Sequence, residues 1–251
     1  IFTDVEENGD NAVNKYSKKF DNVELDSLKV SKDEILKAIE NVPHDLKLAI
    51  QNAKRNIKLF HKAQITKTVE VETQPGVLCW QKKLPIERVG LYIPGGSAPL
   101  FSSILMLAVP AKVANCSQVI LCSPPDANGD LADVMLYTAD LCGVDKIYKV
   151  GGIQAIAAMT FGTKSIPKVD KIFGPGNQYV TVGKQIASQY KVAIDLPAGP
   201  SELLIYADES SIPKYVASDF LSQTEHGPDS QVILVTTNKK NSQKKSNNNS
   251  R

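Results

Sequence analysis

The alternation of short apolar runs and helix-length segments between about residues 87 and 197 constrains the fold of this chain more than any other feature. The apolar runs predict strands at 89–93, 118–122, 146–150, 170–173 and 192–196. The segments between them predict helices at 102–113, 131–141, 154–159 and 179–188. Glycine or proline marks the short joints. Strands and helices that alternate in this way form parallel β-α-β units, so the pattern predicts an α/β fold.

The segments on either side of this region differ from it. Residues 1 to about 65 predict helices: Ser31 and Glu34 match a capping box that opens one of them, and an apolar stripe from Leu46 to Phe60 predicts another. Residues 68–73 and 77–82 predict two strands around a turn. Residues 231–235 predict a further strand, and the sequence after about residue 238 is polar and of low complexity.

Composition argues against several classes of protein. A chain of 251 residues with 42% hydrophobic content can bury one large core or two modest ones. Its net charge of +2 predicts no nucleic-acid partner, and the absence of an apolar run of roughly 18 residues predicts no membrane span. The chain starts at Ile1 without a signal-peptide pattern, and its four cysteines form no C-x-x-C pair. We therefore expect a reducing compartment, the cytoplasm or a plastid-like organelle, and no thiolate zinc site.

Turns rich in glycine or proline follow each of the predicted parallel strands, starting at Pro94, Ser123, Gly151, Gly174 and Pro197. The carboxyl ends of parallel strands share one edge of a sheet, where ligands bind in such folds. The turns predict a binding rim, although tight strand–helix joints would use the same residue types. None of them matches G-x-G-x-x-G, so the usual dinucleotide fingerprint is absent.

The polar residues of this predicted rim are Tyr92, Gln154, Asn177, Ser201 and Glu202. Gln154 and Asn177 each follow a strand and a glycine turn. Their carboxamides can either bind a ligand or stabilise the turn, and Asn177 also suits a helix cap. The residue types on the rim identify neither a nucleophile nor a base.

The segment SQTEHGPDS, which starts at residue 222, raises the question of a metal site. Gln223 and His226 are three residues apart, so on a helix they share one face. We predict a helix that begins near 218–219 and stops at Gly227-Pro228. Two ligands make an incomplete zinc site, and a histidine that interacts with the helix macrodipole is the alternative. His44 and His61 are predicted to be solvated residues at helix ends.

Four long motifs resemble the histidinol dehydrogenase family. They are RVGLYIPGGSAPL at 88–100, VDKIFGPGN at 169–177, DLPAGPSE at 195–202 and SQTEHGPDSQ at 222–231. The resemblance extends from near residue 5 to about residue 237. It implies that L-histidinol is oxidised through an aldehyde to L-histidine, the end of histidine biosynthesis, with two NAD molecules reduced and one zinc bound. It also implies incomplete Rossmann-like parallel sheets with flanking helices in a two-domain core.

The resemblance assigns roles to particular residues. The implied NAD contacts are Tyr92, Gln154 and Asn177. The implied substrate contacts are Ser201, Gln223 and His226, of which Gln223 and His226 also bind zinc. The amino and imidazole nitrogens of the substrate would complete the zinc shell, so the metal would act as a template and a Lewis acid.

The resemblance also implies a domain plan. Residues 1–86 would supply the helical part and strands of a first domain, and 87–198 an α/β NAD-binding domain. Residues 199–237 would return to the first domain with the zinc-ligand helix, and 238–251 would form a disordered polar tail.

The family pattern includes residues without a counterpart in this sequence. These are a Gly-Pro-Glu-His-Leu motif, whose Glu and His accept protons, and a later Asp and His that complete the zinc site. We therefore assign no catalytic residue and expect a truncated, inactive form that binds zinc weakly. The intact family is a homodimer. A non-catalytic NAD-binding fragment, or one that pairs with a paralogue, is the alternative.

Overall fold

The computed structural model of the chain describes residues 1–95, 99–197, 202–224 and 231–237. Two compact units are present, Ile1–Pro197 and Ala198–Arg251. The predicted polar tail at 238–251 lies outside the described residues. The finer plan, in which 1–86 and 199–237 build one domain, stays a prediction.

The first unit opens with helices and a hairpin, as its sequence pattern predicts. The helices are α1 (Phe2–Asn8), α2 (Asp10–Asp21), α3 (Lys32–Asn41) and α4 (His44–Ala63), and the antiparallel hairpin consists of β1 (Glu70–Gln74) and β2 (Val77–Trp80). The predicted capping box of α3 is confirmed. Ser31 Oγ accepts from the Glu34 amide at 3.2 Å, and Glu34 Oε2 accepts from the Ser31 amide at 2.7 Å. Two backbone donors at the start of the helix are thereby satisfied.

Strands and helices then alternate through the rest of the first unit. The strands are β3 (Arg88–Tyr92), β4 (Gln118–Ser123), β5 (Lys146–Lys149), β6 (Lys171–Phe173) and β7 (Ala193–Ile194). The helices are α5 (Phe101–Val113), α6 (Asp133–Cys142), α7 (Gly152–Phe161) and α8 (Gln178–Gln189). The strands pair in parallel in the order β5-β4-β3-β6-β7. The predicted α/β class with a Rossmann-like parallel sheet is confirmed.

Two layers of helices cover this sheet because side chains alternate between its faces. Leu91 and its neighbours on one face pack against α3, α4, α5 and α6. Tyr92, Cys122 and Tyr148 lie side by side on the other face and pack with residues of α1, α2, α7 and α8. The first strand of this sheet, β3, lies in its middle. The chain adds β4 and β5 on one side of β3 and then β6 and β7 on the other, so the strand order reverses beside β3. In open α/β sheets, ligands bind outside the carboxyl ends of the strands at this point.

The second unit contains β8 (Glu202–Ala207), α9 (Pro213–Thr224) and β9 (Gln231–Thr236), with β8 and β9 paired in parallel. The predicted strand at 231–235 is confirmed, whereas β8 was not predicted. The predicted start of the helix near 218–219 was wrong. The helix begins at Pro213, where a proline fits the first helical position because that residue needs no backbone donor.

Candidate functional site

The turns after β3, β5 and β6 bring the three predicted NAD residues to the carboxyl edge of the sheet. Tyr92 is the last residue of β3, Gln154 lies in the first turn of α7, and Asn177 precedes α8 directly. Gly174 places the β6 turn against β3, since a Cβ added there would lie 1.9 Å from the Tyr92 carbonyl oxygen. These turns therefore lie along one edge of the sheet, whereas residues 96–98 and 198–201 of the predicted rim lie outside the described residues. That this edge binds a ligand stays a prediction.

Tyr92 links the end of β3 to the start of α7. Its buried hydroxyl accepts a hydrogen bond from the Gly152 amide at 3.0 Å, which satisfies a donor at the helix N-terminus. Burial raises the pKa of Tyr92 to about 12. The hydroxyl therefore keeps its proton at neutral pH and can donate it in a hydrogen bond.

Gln154 is fully buried, and its carboxamide has one bonded end and one without a partner. Nε2 donates to Asp21 Oδ2 at 3.2 Å, whereas Oε1 has no partner among the described residues. A Cβ at Gly152 would lie 2.7 Å from this oxygen, and Gly152 has a φ of +61°. Glycine at position 152 thus leaves space for the Gln154 oxygen and permits the left-handed backbone.

Asn177 caps α8. Its Oδ1 accepts from the amides of Tyr179 and Val180, both at 3.1 Å. The predicted helix cap is confirmed. Only the carboxamide nitrogen, which takes no part in this cap, is suited to donate to a ligand.

The turn between β6 and α8 is held by two residues that sequence reasoning missed. Lys184 Nζ donates to the Gly174 carbonyl at 2.8 Å and forms an ion pair with Asp195. Asp195 Oδ2 accepts from the Gly174 amide at 2.8 Å. A signal was available, because Val180, Gly183, Lys184 and Ala187 share the buried face of α8 at helical spacing. A lysine on an apolar stripe indicates a buried partner.

Asp21 is a further residue of this site that sequence reasoning missed. It ends α2, is half-buried, and bonds to Gln154. Burial raises its pKa, and the hydrogen bond from Gln154 opposes that shift. The available signal was its place at the C-terminal end of a helix, where an acidic side chain is unfavourable.

Glycine and proline in the other rim turns serve close packing. Pro124, in the turn after β4, lies against both Gly95 and Gly151. A Cβ would lie 2.7 Å from this ring at Gly95 and 2.4 Å from it at Gly151. For these two glycines the structure supports the alternative that they close tight joints.

The predicted zinc and substrate residues belong to the second unit. Gln223 is half-buried near the end of α9. Ser201 and His226 lie outside the described residues, so the pairing of Gln223 with His226 stays a prediction. Within the described ranges, no three His, Cys, Asp or Glu side chains converge as metal ligands.

The histidines at the ends of α4 lie where the sequence predicts them. His44 begins the helix and is exposed, whereas His61 lies in its last turn and is half-buried. Cys116, Cys122 and Cys142 are buried. Burial raises the pKa of Cys142 to about 11, so this thiol is a packing group and not a nucleophile.

A groove of about 840 Å³ also opens on the first unit. It is lined mainly by apolar side chains of α5 and of the segment after β2, including Trp80, Leu84 and Met106. None of Tyr92, Gln154 and Asn177 lines it, so this groove is separate from the rim. Across the described part of the chain, no helix is both long enough and apolar enough to cross a membrane.

Known proteins resemble this chain over nearly its whole length. The family model for histidinol dehydrogenase matches residues 1–249. Histidinol dehydrogenase of Bacteroides fragilis is 58% identical over 236 residues, which cover 94% of this chain and 55% of that relative. The Escherichia coli protein of the same name is 57% identical over 238 residues, covering 94% and 54%.

A solved structure shows the same resemblance to histidinol dehydrogenase. The crystal structure of histidinol dehydrogenase from Elizabethkingia anophelis matches with a TM-score of 0.91 and 55% identity. The match covers 96% of this chain and 56% of that one. The resemblance that four motifs indicated is confirmed, and the chain spans about half the length of the relatives it matches.

Proposed function

Because this chain belongs to the histidinol dehydrogenase family, a family of oxidoreductases, we propose that it forms part of a zinc-dependent enzyme that oxidises L-histidinol to L-histidine. NAD accepts the electrons of both oxidation steps. Residues 1–197 supply its binding rim, and the second unit supplies zinc and substrate contacts. L-histidinol and a second copy in a homodimer are the proposed partners, and the cytoplasm is the proposed location.

The Oε1 atom of Gln154, which has no partner among the described residues, is the single observation that carries the NAD proposal. A buried acceptor without a donor is unfavourable, and a ligand that donates a hydrogen bond removes the cost. Two donors lie at the same edge, the hydroxyl of Tyr92 and the carboxamide nitrogen of Asn177. One acceptor and two donors at a topological switch point suit the polar groups of a dinucleotide.

Each of the three residues has a distinct proposed role. Gln154 accepts from NAD through Oε1, while Asp21 holds the other end of its carboxamide. Asn177 donates through its nitrogen, because its oxygen caps α8. Tyr92 donates a hydrogen bond to NAD through its hydroxyl group. The oxygen of the same group accepts from the Gly152 amide, the first amide of α7.

Gln223 and His226 are the proposed zinc ligands, with Ser201 as an additional substrate contact. An imidazole nitrogen is a good zinc ligand, and a carboxamide oxygen is a weaker one. When bound, zinc would polarise the substrate oxygen. Two protein ligands are fewer than the three or four that zinc usually has, so we expect residues 1–251 to bind it weakly.

We also propose that residues 1–251 by themselves do not complete the reaction. The proton-accepting Glu and His of the family motif have no counterpart among them. General acid–base groups typically contribute about 10²–10⁴-fold to a rate. NAD binding without turnover is therefore the expected behaviour of this chain alone.

Calorimetric titration of NAD into the chain tests the proposal. We expect saturable binding that Gln154→Ala weakens by about tenfold, because the acceptor is lost. Gln51→Ala is the matched control, since Gln51 donates to the Tyr137 hydroxyl on the opposite face of the sheet. No saturation at millimolar NAD would overturn the proposal.

A second assay follows NADH formation from L-histidinol with added zinc. No NADH is expected from residues 1–251. Turnover by these residues alone would contradict the stated need for the family's proton-accepting pair.

A further inference from the structure

We propose that Asp21 is a positioning residue that fixes the carboxamide of Gln154 for NAD. This inference rests on the proposed function, because it assumes that Gln154 contacts NAD. No motif of the resemblance includes Asp21, which lies far from Gln154 in sequence.

The chemistry of the contact sets the direction of the carboxamide. An ionised carboxylate only accepts hydrogen bonds, so the NH₂ end of Gln154 must point towards Asp21. The 3.2 Å contact between Nε2 and Oδ2 has this arrangement. The oxygen then necessarily points away from Asp21. Without the carboxylate, the carboxamide of Gln154 could adopt both orientations. Only one of them presents its oxygen as an acceptor for NAD.

Folding alone gives little reason for an aspartate at this position. Asp21 ends α2, where the helix macrodipole is negative, and it is followed by Asn22 in a left-handed conformation with φ of 55°. It is half-buried, and burial raises its pKa. No lysine or arginine pairs with it within the described ranges. The helix macrodipole, the burial and the lack of a cation each make the ionised form costly, which suits a residue retained for a site at the expense of stability.

The same carboxylate also acts on Tyr92. Burial raises the pKa of Tyr92, and the negative charge of Asp21 raises it further. Asp21 thus orients the carboxamide of Gln154 so that it presents an acceptor. Its effect on Tyr92 is secondary, since a tyrosine with an ordinary pKa is already protonated at neutral pH.

The test compares Asp21→Ala and Asp21→Asn with the wild-type chain by NAD titration and thermal unfolding. Asp21→Ala is expected to weaken NAD binding by about tenfold, since the carboxamide loses a charged partner. Asp21→Asn keeps an acceptor oxygen but adds a donor, so a smaller loss of about threefold is expected. Asp21→Asn should unfold at the wild-type temperature or above it, because it removes an unfavourable charge and keeps an acceptor oxygen. Asp21→Ala should unfold at a lower temperature, because it leaves the buried Nε2 of Gln154 without its acceptor.

Asp10→Asn is the matched control. Asp10 lies at the other end of α2 from Asp21 and accepts from Ser165 Oγ at 2.8 Å, so it is an aspartate of the same helix with a different partner. We expect wild-type NAD affinity for this variant.

Each outcome of the test is decisive. If Gln154→Ala weakens NAD binding and neither Asp21 variant does, the proposed function stands and the positioning role is overturned. If Asp21→Asn, which keeps an acceptor for Gln154, unfolds at a clearly lower temperature than the wild-type chain, Asp21 has a structural role and the inference is also overturned. If the wild-type chain shows no saturable binding, the proposed function and this inference are overturned together.

Discussion

The ammonium group of Lys184 donates to the carbonyl oxygen of Gly174 at 2.8 Å from an almost fully buried position on α8. It also pairs with Asp195, whose other oxygen accepts from the Gly174 amide. One ion pair therefore satisfies both backbone groups of Gly174. This clamp fixes the turn that places Asn177 at the head of α8.

Lys184→Met should destabilise the first unit by about 3 kcal/mol, because it leaves Asp195 without its cation and a buried carbonyl without its donor. Lys112→Met is the control, since Lys112 pairs with Asp145 at 2.8 Å in a more exposed position and should cost about 1 kcal/mol or less. Urea unfolding measures both values. Equal losses in the two variants would contradict a buried clamp.

Gly174→Ala should destabilise the protein by roughly 3 kcal/mol and weaken NAD binding. The φ of Gly174 is +133°, and the new methyl group would lie 1.9 Å from the Tyr92 carbonyl oxygen, so the turn must move away from β3. Gly76→Ala separates the effect of the backbone conformation from the effect of the steric clash. Gly76 has a φ of +79° with no atom within 4 Å of an added Cβ, so backbone strain alone should cost about 1 kcal/mol. Urea unfolding and NAD titration should distinguish the two variants, and an equally small loss in Gly174→Ala would contradict the close approach.

Local patterns in the sequence predicted most of the elements of the first unit. Apolar periodicity and turn residues act over a few positions, so they identify strands and helices without knowledge of the rest of the chain. The capping box at Ser31 is such a case, since both of its hydrogen bonds join residues three apart. The same local criteria predicted the wrong start for α9. Ser218 and Asp219 suit an N-cap, but the helix had already begun at Pro213.

The contacts that shape the rim join residues that are far apart in the sequence, so no local pattern predicts them. Asp21 meets Gln154 only after α2 packs on α7, and Asp195 meets Lys184 only after β7 joins the sheet beside β6. The amino-acid types gave partial signals, an acid at the wrong end of a helix and a lysine on an apolar stripe. Neither signal identifies its partner.

Glu34→Gln should destabilise the protein by about 1 kcal/mol at pH 7, and the loss should fade in acid. Burial alone would raise the pKa of Glu34, but its bonds with Lys149 and Ser31 outweigh that effect and lower it. A lowered pKa means that Glu34 stabilises the fold above its unfolded value of about 4.3. That stabilisation is lost as the pH falls through the folded value. The expected loss of stability is small because water screens the exposed third of the side chain.

Urea unfolding at pH 7 and pH 3 checks this prediction for Glu34. Asp130→Asn is the control, since Asp130 lies 3.4 Å from the same Lys149 ammonium but is mostly exposed. This variant should lose almost no stability. A gap between wild type and Glu34→Gln that persists unchanged at pH 3 would show that charge is not its cause.

Tyr92→Phe should weaken both NAD binding and the start of α7. The hydroxyl of Tyr92 is the acceptor for the Gly152 amide at 3.0 Å, so its removal leaves a donor at the helix N-terminus unpaired, at a cost of about 1–2 kcal/mol. NAD affinity should also fall, by about threefold or more, because the rim loses a donor.

Tyr137→Phe is the matched control: that hydroxyl accepts from Gln51, an exposed side chain that can bond to water instead. Because both substitutions delete one buried tyrosine oxygen from the first unit, a loss of NAD affinity confined to Tyr92→Phe would reflect the position of the hydroxyl in the rim. Equal NAD affinities in the two variants would remove Tyr92 from the binding site.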